Sequence, residues 1–187
     1  MRVIAGRYRS RRLKGPGKLR VRPTSDRLRE TLFNVLGPSV EDSLFVDLYA
    51  GTGAVGIEAI SRGTRETIFI EANASTARLV KQNLQTLGLI SQANVIQADA
   101  LLGLEKLAAR QLMADFIFLD PPYEETGEHL RVLEFLDTSH LIAPYGLVIV
   151  EHHSKTALPE RFSRLERTRV LGQGEATLSF YRLAAAA

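Results

Sequence analysis

The segment Leu44 to Glu58, L-F-V-D-L-Y-A-G-T-G-A-V-G-I-E, restricts the fold more than any other stretch of the chain. An apolar run enters a glycine turn that opens onto a helical pattern. Gly51, Gly53 and Gly56 satisfy G-x-G-x-x-G, and Glu71, closing the next apolar run Thr67 to Ile70, stands where the downstream acid of that fingerprint belongs. Such a turn needs a strand before it and a helix after it. The alternation then repeats: strands are expected at 44–49, 67–71, 94–97, 115–119 and 146–151, and helices at 54–62, 74–87, 100–110 and 126–137. This predicts an α/β fold with a mainly parallel sheet. Ahead of it, Thr24 or Ser25 caps a helix whose apolar face is Leu28, Leu32, Phe33, Val35 and Leu36, stopped by Gly37-Pro38. At the far end, Ser163 to Leu171 and Ala176 to Leu183 alternate around Gly172-Gln173-Gly174 as an antiparallel hairpin closing the sheet.

The glycine fingerprint alone suits a dinucleotide, and a nicotinamide oxidoreductase stays open on that ground. Asp47 argues for a different ligand. An anion four residues before the first glycine repels a pyrophosphate approaching the helix N-terminus, whereas it attracts a sulfonium or ammonium group. S-adenosylmethionine carries both cations and no phosphate. Glu71 serves either cofactor, because both present a ribose whose hydroxyls donate to a carboxylate. Asp99, between the run Asn94 to Gln97 and a new helical stretch at Ala100, is either a helix cap or an acceptor for the adenine amine. The cofactor candidates are therefore Asp47, the loop Ala50, Gly51, Thr52 and Gly53, Glu71 with Ala72, and Asp99 with Ala100. In a doubly wound sheet the strand ends carrying Asp47, Glu71, Asp99 and Asp120 fall on one edge.

Asp120-Pro121-Pro122-Tyr123 follows the apolar run Phe116 to Leu119. Two prolines stiffen the peptide and surrender their N–H groups, leaving carbonyls that accept hydrogen bonds from outside. One reading is a capped turn. The other is a site for a flat heterocycle, whose exocyclic amine donates to Asp120 and the Pro121 carbonyl while Tyr123 stacks on the ring. Methyl transfer from a sulfonium needs positioning more than acid-base power, so Asp120, Pro121 and Tyr123 are the catalytic candidates.

Charge divides the chain. Residues 1–30 hold eleven Lys or Arg against Asp26 and Glu30, a net of +9, which leaves −6 for the remainder of a chain whose total is +3. Residues 1–23 read as a basic arm, with Tyr8 between Arg7 and Arg9 and a turn at Gly15-Pro16-Gly17. The arm is either solvated or a phosphate-binding segment ahead of a methyltransferase domain at 24–187. Zero cysteines exclude disulfides and thiolate metal sites, and the four histidines lack ligand spacing, so no metal is expected. His152-His153 reads as solvated or strand-capping. No run of about 18 apolar residues could span a membrane, and the N-terminus lacks a signal-peptide core, which points to the cytoplasm.

Taken together, Arg2-Val3-Ile4-Ala5-Gly6-Arg7-Tyr8-Arg9, Arg22-Pro23-Thr24-Ser25-Asp26-Arg27-Leu28-Arg29-Glu30, the loop Asp47 to Gly53, Glu71 and Asp120 to Tyr123 resemble the RsmD-type methyltransferases, which modify the exocyclic N2 of a guanine in small-subunit ribosomal RNA. The resemblance covers nearly the whole chain. The cofactor loop and Asp-Pro-Pro-Tyr are common to many amino-methyltransferases, while the basic start and Arg22 to Glu30 single out this family. The resemblance implies a Rossmann-like class I fold with a seven-stranded sheet whose last strand is antiparallel. It also implies S-adenosylmethionine as cofactor and 16S ribosomal RNA as substrate, within the small subunit or an assembly intermediate; a monomer is expected. Arg7, Tyr8, Arg9, Arg22, Thr24, Arg27 and Pro122 are then substrate-binding candidates. A DNA adenine-N6 methyltransferase and a noncatalytic RNA-binding assembly protein stay open as alternatives, because motif and fold do not determine substrate.

Overall fold

The computed structural model describes residues 1–15, 17, 24–122 and 127–185, in two compact units, Met1–Ala100 and Leu101–Ala187. The first unit holds α1 (Asp26–Leu36), β1 (Leu44–Leu48), α2 (Ala54–Ser61), β2 (Glu66–Glu71), α3 (Ala74–Leu87) and β3 (Ala93–Gln97). Its strands are parallel, with Asp47 opposite Phe69 and Glu71 opposite Gln97. β1 is buried along its whole length, as expected of a parallel strand covered on both faces. Local signals explain the helix limits. Ser25, not Thr24, caps α1 by accepting from Leu28 N at 3.1 Å. Asn73 Oδ1 accepts from Ser75 N and Thr76 N to open α3, and Gly88 at φ 71° ends it.

The segment read as a basic arm is fastened to this unit over residues 1–15. Val3 and Leu13 are buried in a core cluster with Ala54, Ile57, Val80 and Leu84. Arg7 N donates to Ser61 O at 2.7 Å, and Ile4 N and Ala5 N donate to the Glu58 carboxylate at 2.7 and 3.0 Å. An unpaired backbone amide would be costly there, so α2 supplies acceptors in place of a partner strand. The turn foreseen at Gly15-Pro16-Gly17 falls partly outside the described residues. An isolated antiparallel bridge pairs Arg2 with Arg12.

The second unit follows with α4 (Ala100–Ala109, starting at the boundary), β4 (Ala114–Leu119), α5 (Glu128–Thr138), β5 (Ile142–His153), β6 (Leu165–Gln173) and β7 (Ala176–Leu183). The strand order is β3-β2-β1 in the first unit and β4-β5-β7-β6 in the second, where β7 is antiparallel to both of its neighbours. The predicted sheet and closing hairpin are both present. β5 begins four residues before the expected 146 because a register shift between Ala114 and Phe116 lets it accommodate Pro144, which has no N–H to give.

The His152-His153 pair departs from the expectation of solvated or capping side chains. Strand alternation turns His152 inward, where it is buried, with Nε2 at 2.9 Å from Ser179 Oγ and its ring edge against His129. Burial holds both His129 and His152 below the usual histidine range. His153 stays half-exposed.

Candidate functional site

The turn after β1 is built from left-handed residues: Tyr49 at φ 60°, Gly51 at 54° and Gly53 at 78°. Glycine takes that conformation at no steric cost, whereas Tyr49 is held there by its surroundings. Gly53 N donates to Ala50 O at 2.7 Å and Ala50 N to Ile70 O at 3.0 Å, so the turn is pinned to the end of β2. Gly56 has a different role. A Cβ there would collide with the Phe69 ring, so its absence lets α2 lie against β2.

Two carboxylates close the loop. Glu71 Oε2 accepts from Gly51 N at 2.9 Å and Oε1 from Asn73 N at 2.8 Å. Asp47, only 2% exposed, accepts from Gly56 N through Oδ2 at 2.9 Å. Burial raises the Asp47 pKa to about 8, against the Gly56 hydrogen bond, and the nearby Glu71 charge adds to the rise. Burial likewise raises Glu71, opposed by its two backbone donors. Burial therefore favours the neutral form of Asp47. A cation brought near would favour ionisation. Ala98 N donates to Glu71 O at 3.2 Å, which keeps Ala72, Asp99 and Ala100 at this end of the sheet. Ala72 and Asp99 are exposed and Ala100 is buried. The structure thus holds the nine predicted cofactor residues in one unit, with Asp47, the loop and Glu71 in direct contact and Asp99 and Ala100 following the residue bonded to Glu71.

The raised Asp47 pKa has a consequence for stability. A carboxyl whose folded pKa exceeds its unfolded value of 3.8 stabilises below that value, and the contribution is lost as pH rises through about 8. Asp47→Asn keeps an acceptor for Gly56 N and cannot ionise. It should raise the melting temperature of the cofactor-free protein, and more at pH 8 than at pH 5, as scanning calorimetry would register. An equal shift at both pH values would mean that Asp47 ionises normally.

In the second unit Asp120 is half-exposed, Pro121 buried and Pro122 exposed, immediately after the fully buried Leu119 that ends β4. Tyr123 and Arg22 lie outside the described residues. Arg7, Arg9 and Arg27 are exposed, while Thr24 is buried just before α1. Tyr8 is half-buried, packed on the core cluster, with its N donating to Ser61 Oγ at 2.9 Å. An open concavity of about 680 Å³ lies at the start of β4 and β5, lined by Met113, Tyr145 and Arg182, and includes none of the predicted residues. Among the described residues no group of three His, Cys, Asp or Glu could hold a metal, and no helix is long and apolar enough to cross a membrane.

Sequence reasoning passed over Arg29, Glu58, Ser61 and Asn83, all buried. Asn83 had a signal, a primary amide on the apolar face of α3. Glu58 was visible only as the last letter of the glycine-loop segment. Arg29 was counted only as one of the eleven basic residues of the N-terminal segment, yet it is 0% exposed and donates to Arg2 O at 2.7 Å and Asp26 Oδ1 at 3.0 Å.

A family model described as conserved hypothetical protein 95 matches residues 1–182. The Bacillus subtilis protein named "Putative rRNA methyltransferase YlbH" is 37% identical over 183 residues, 97% of this chain and 98% of that protein. Ribosomal RNA small subunit methyltransferase D of Escherichia coli is 34% identical over 175 residues, 92% of this chain and 86% of the relative. The solved structure described as "Putative methyltransferase yhhF from Escherichia coli" is similar at a TM-score of 0.85 and 29% identity, covering 100% of this chain and 99% of that one. More distant neighbours, 13% and 16% identical, share the fold alone and were solved with S-adenosylhomocysteine.

Proposed function

The chain belongs to the conserved hypothetical protein 95 family, that of the RsmD-type ribosomal RNA methyltransferases, and from this we infer that it methylates the exocyclic N2 of a guanine in 16S ribosomal RNA. The fold is that of the class I S-adenosylmethionine-dependent methyltransferases, and S-adenosylmethionine is the cofactor. When bound, the cofactor supplies a methyl group activated by its sulfonium.

The observation favouring this cofactor over a dinucleotide is the carboxylate pair. Asp47 and Glu71 both face the glycine loop, and their mutual repulsion already contributes to the raised Asp47 pKa. A pyrophosphate would add to that repulsion; a cation relieves it. In this reading Glu71, held by Gly51 and Asn73, uses its remaining lone pairs for the ribose hydroxyls, and Asp99 accepts from the adenine amine. Asp120 and the Pro121 carbonyl accept the two protons of the guanine amine. They aim its nitrogen and stabilise positive charge growing there. Tyr123 supplies a stacking face. Exposed Arg7, Arg9 and Arg27 contact phosphates without reading sequence, as do other basic residues of the N-terminal segment. The substrate is the small subunit or an assembly intermediate, and the enzyme acts as a cytoplasmic monomer.

The deciding experiment offers labelled S-adenosylmethionine with unmodified small ribosomal subunits, free 16S RNA or duplex DNA. Label should enter N2-methylguanine in RNA. Label in DNA adenine would establish the adenine-N6 reading, and no transfer to any substrate would establish a noncatalytic protein. Glu71→Ala should weaken S-adenosylhomocysteine binding by about 1.5–3 kcal/mol, the value of a hydrogen bond to a charged group, as measured by calorimetry. Unchanged affinity would remove Glu71 from the site, and tighter binding of NADH would overturn the cofactor.

A further inference from the structure

Asn83 lies on the buried stripe of α3 with Val80, Leu84 and Leu87, and is 1% exposed. Its side chain pairs with one peptide of the N-terminal segment: Oδ1 accepts from Lys14 N at 2.8 Å and Nδ2 donates to Lys14 O at 3.2 Å. The other Nδ2 proton goes to Thr52 O, in the glycine loop, at 3.0 Å. A primary amide has two such protons, and burying it is unfavourable unless both are matched, so this one joins the segment and the loop. A weaker link runs alongside, Thr52 Oγ1 donating to Met1 Sδ at 3.6 Å. The same segment presents Arg7, Arg9, Arg11 and Arg12 to solvent.

We propose that Asn83 is a positioning residue that couples RNA held by the N-terminal segment to the affinity of the glycine loop for S-adenosylmethionine. The coupling rests on the functional reading above, in which that loop binds the cofactor and that segment binds RNA. Phosphates engaging the arginines favour the docked segment. The docked segment holds the Asn83 amide against Lys14 and thereby holds Thr52 in place. A cofactor arriving at a loop already ordered loses less conformational freedom, so it binds more tightly. Linkage makes the effect reciprocal: the cofactor tightens RNA binding by the same factor. One hydrogen bond connects the amide to the loop, which sets that factor at about threefold to tenfold.

Equilibrium dialysis of labelled S-adenosylhomocysteine, with and without saturating unmodified small-subunit ribosomal RNA, tests this. The wild-type protein should bind S-adenosylhomocysteine about threefold to tenfold more tightly with RNA present. Asn83→Ala should still bind both ligands but show no RNA effect, whereas a merely structural role would weaken both ligands and leave their coupling intact. A wild-type affinity indifferent to RNA, or an Asn83→Ala protein with the full RNA effect, overturns the proposal. If circular dichroism shows that the variant does not fold, hydrogen exchange on the wild type decides. S-adenosylhomocysteine alone should slow exchange of the Lys14 amide, and an unchanged rate overturns the coupling. A wild-type protein that binds neither ligand removes the functional reading itself, a failure distinct from binding both without coupling.

Discussion

Replacing Asp120 by Ala should leave S-adenosylhomocysteine affinity unchanged and lower methyl transfer to ribosomal RNA by about 10²- to 10³-fold. That range is typical for deleting one preorganised group that stabilises developing charge. In the proposed reading the acceptor is the amine of guanine, a weak nucleophile because its lone pair is shared with the ring. Its nitrogen must be aimed, and the positive charge that grows on it needs a carboxylate nearby. Asp120 follows the buried end of β4, and Pro121 has no N–H and a fixed φ, so the carboxylate is carried on a stiff turn. The expected kinetic pattern is a fall in kcat and kcat/KM together, since the interaction is made chiefly in the transition state. Single-turnover transfer with labelled cofactor measures it. A variant whose KM for RNA rises while kcat holds would show that Asp120 binds the substrate uniformly and does not act on the reacting nitrogen.

Glu58→Ala should unfold the first unit at denaturant concentrations where the wild type is still native, a loss of about 3–5 kcal/mol, the range for removing one partner of a buried charge pair. Glu58 is fully buried. Its carboxylate accepts from Ile4 N, Ala5 N and Arg62 Nε and lies 4.0 Å from Arg29 Nε, at the limit of an ion pair. Arg29 is also buried, its Nε and Nη1 find no hydrogen-bond partner among the described residues, and burial lowers its pKa. Without Glu58 two backbone amides lose their acceptor and the guanidinium loses its buried counter-charge, which leaves it, among the described residues, with Asp26, whose side chain is half-exposed. Urea unfolding followed by circular dichroism checks the size. Glu58→Gln, which keeps one acceptor oxygen but no charge, should fall between Ala and wild type. A loss below about 1 kcal/mol for the Ala variant would mean that Asp26 alone balances Arg29.

The order of strands and helices was legible in the sequence because each element has a local cause. The apolar runs from 44, 67, 94 and 115 become β1 to β4 within one residue of their expected starts, and Gly172 to Gly174 marks the hairpin of β6 and β7. Periodicity and turn residues act over a few positions, and one chain displays both. The glycine loop was legible for the same reason, its glycines answering needs of its own backbone: positive φ at Gly51 and Gly53, and close approach to Phe69 at Gly56. So was the acid at the end of β2, since parallel pairing carries Glu71 to the carboxyl edge beside the loop.

Protonation and docking were decided only by tertiary structure. Asp47 looks like an anion in sequence, but its pKa depends on how much water β1 and α2 leave around it, and burial moves it to about 8. Eleven cations in thirty residues read as a basic arm, and in the structure Val3 and Leu13 of that segment enter the core while Glu58, Ser61 and Asn83 accept backbone hydrogen bonds from residues 4–14. Those contacts join residues more than fifty positions apart, with no periodicity to announce them. Composition determined that the N-terminal segment is basic. Which of its residues face solvent and which are buried depended on the helices that the rest of the chain placed beneath it, because solvation and hydrogen-bond satisfaction belong to the folded surroundings and not to a residue's own neighbours in sequence.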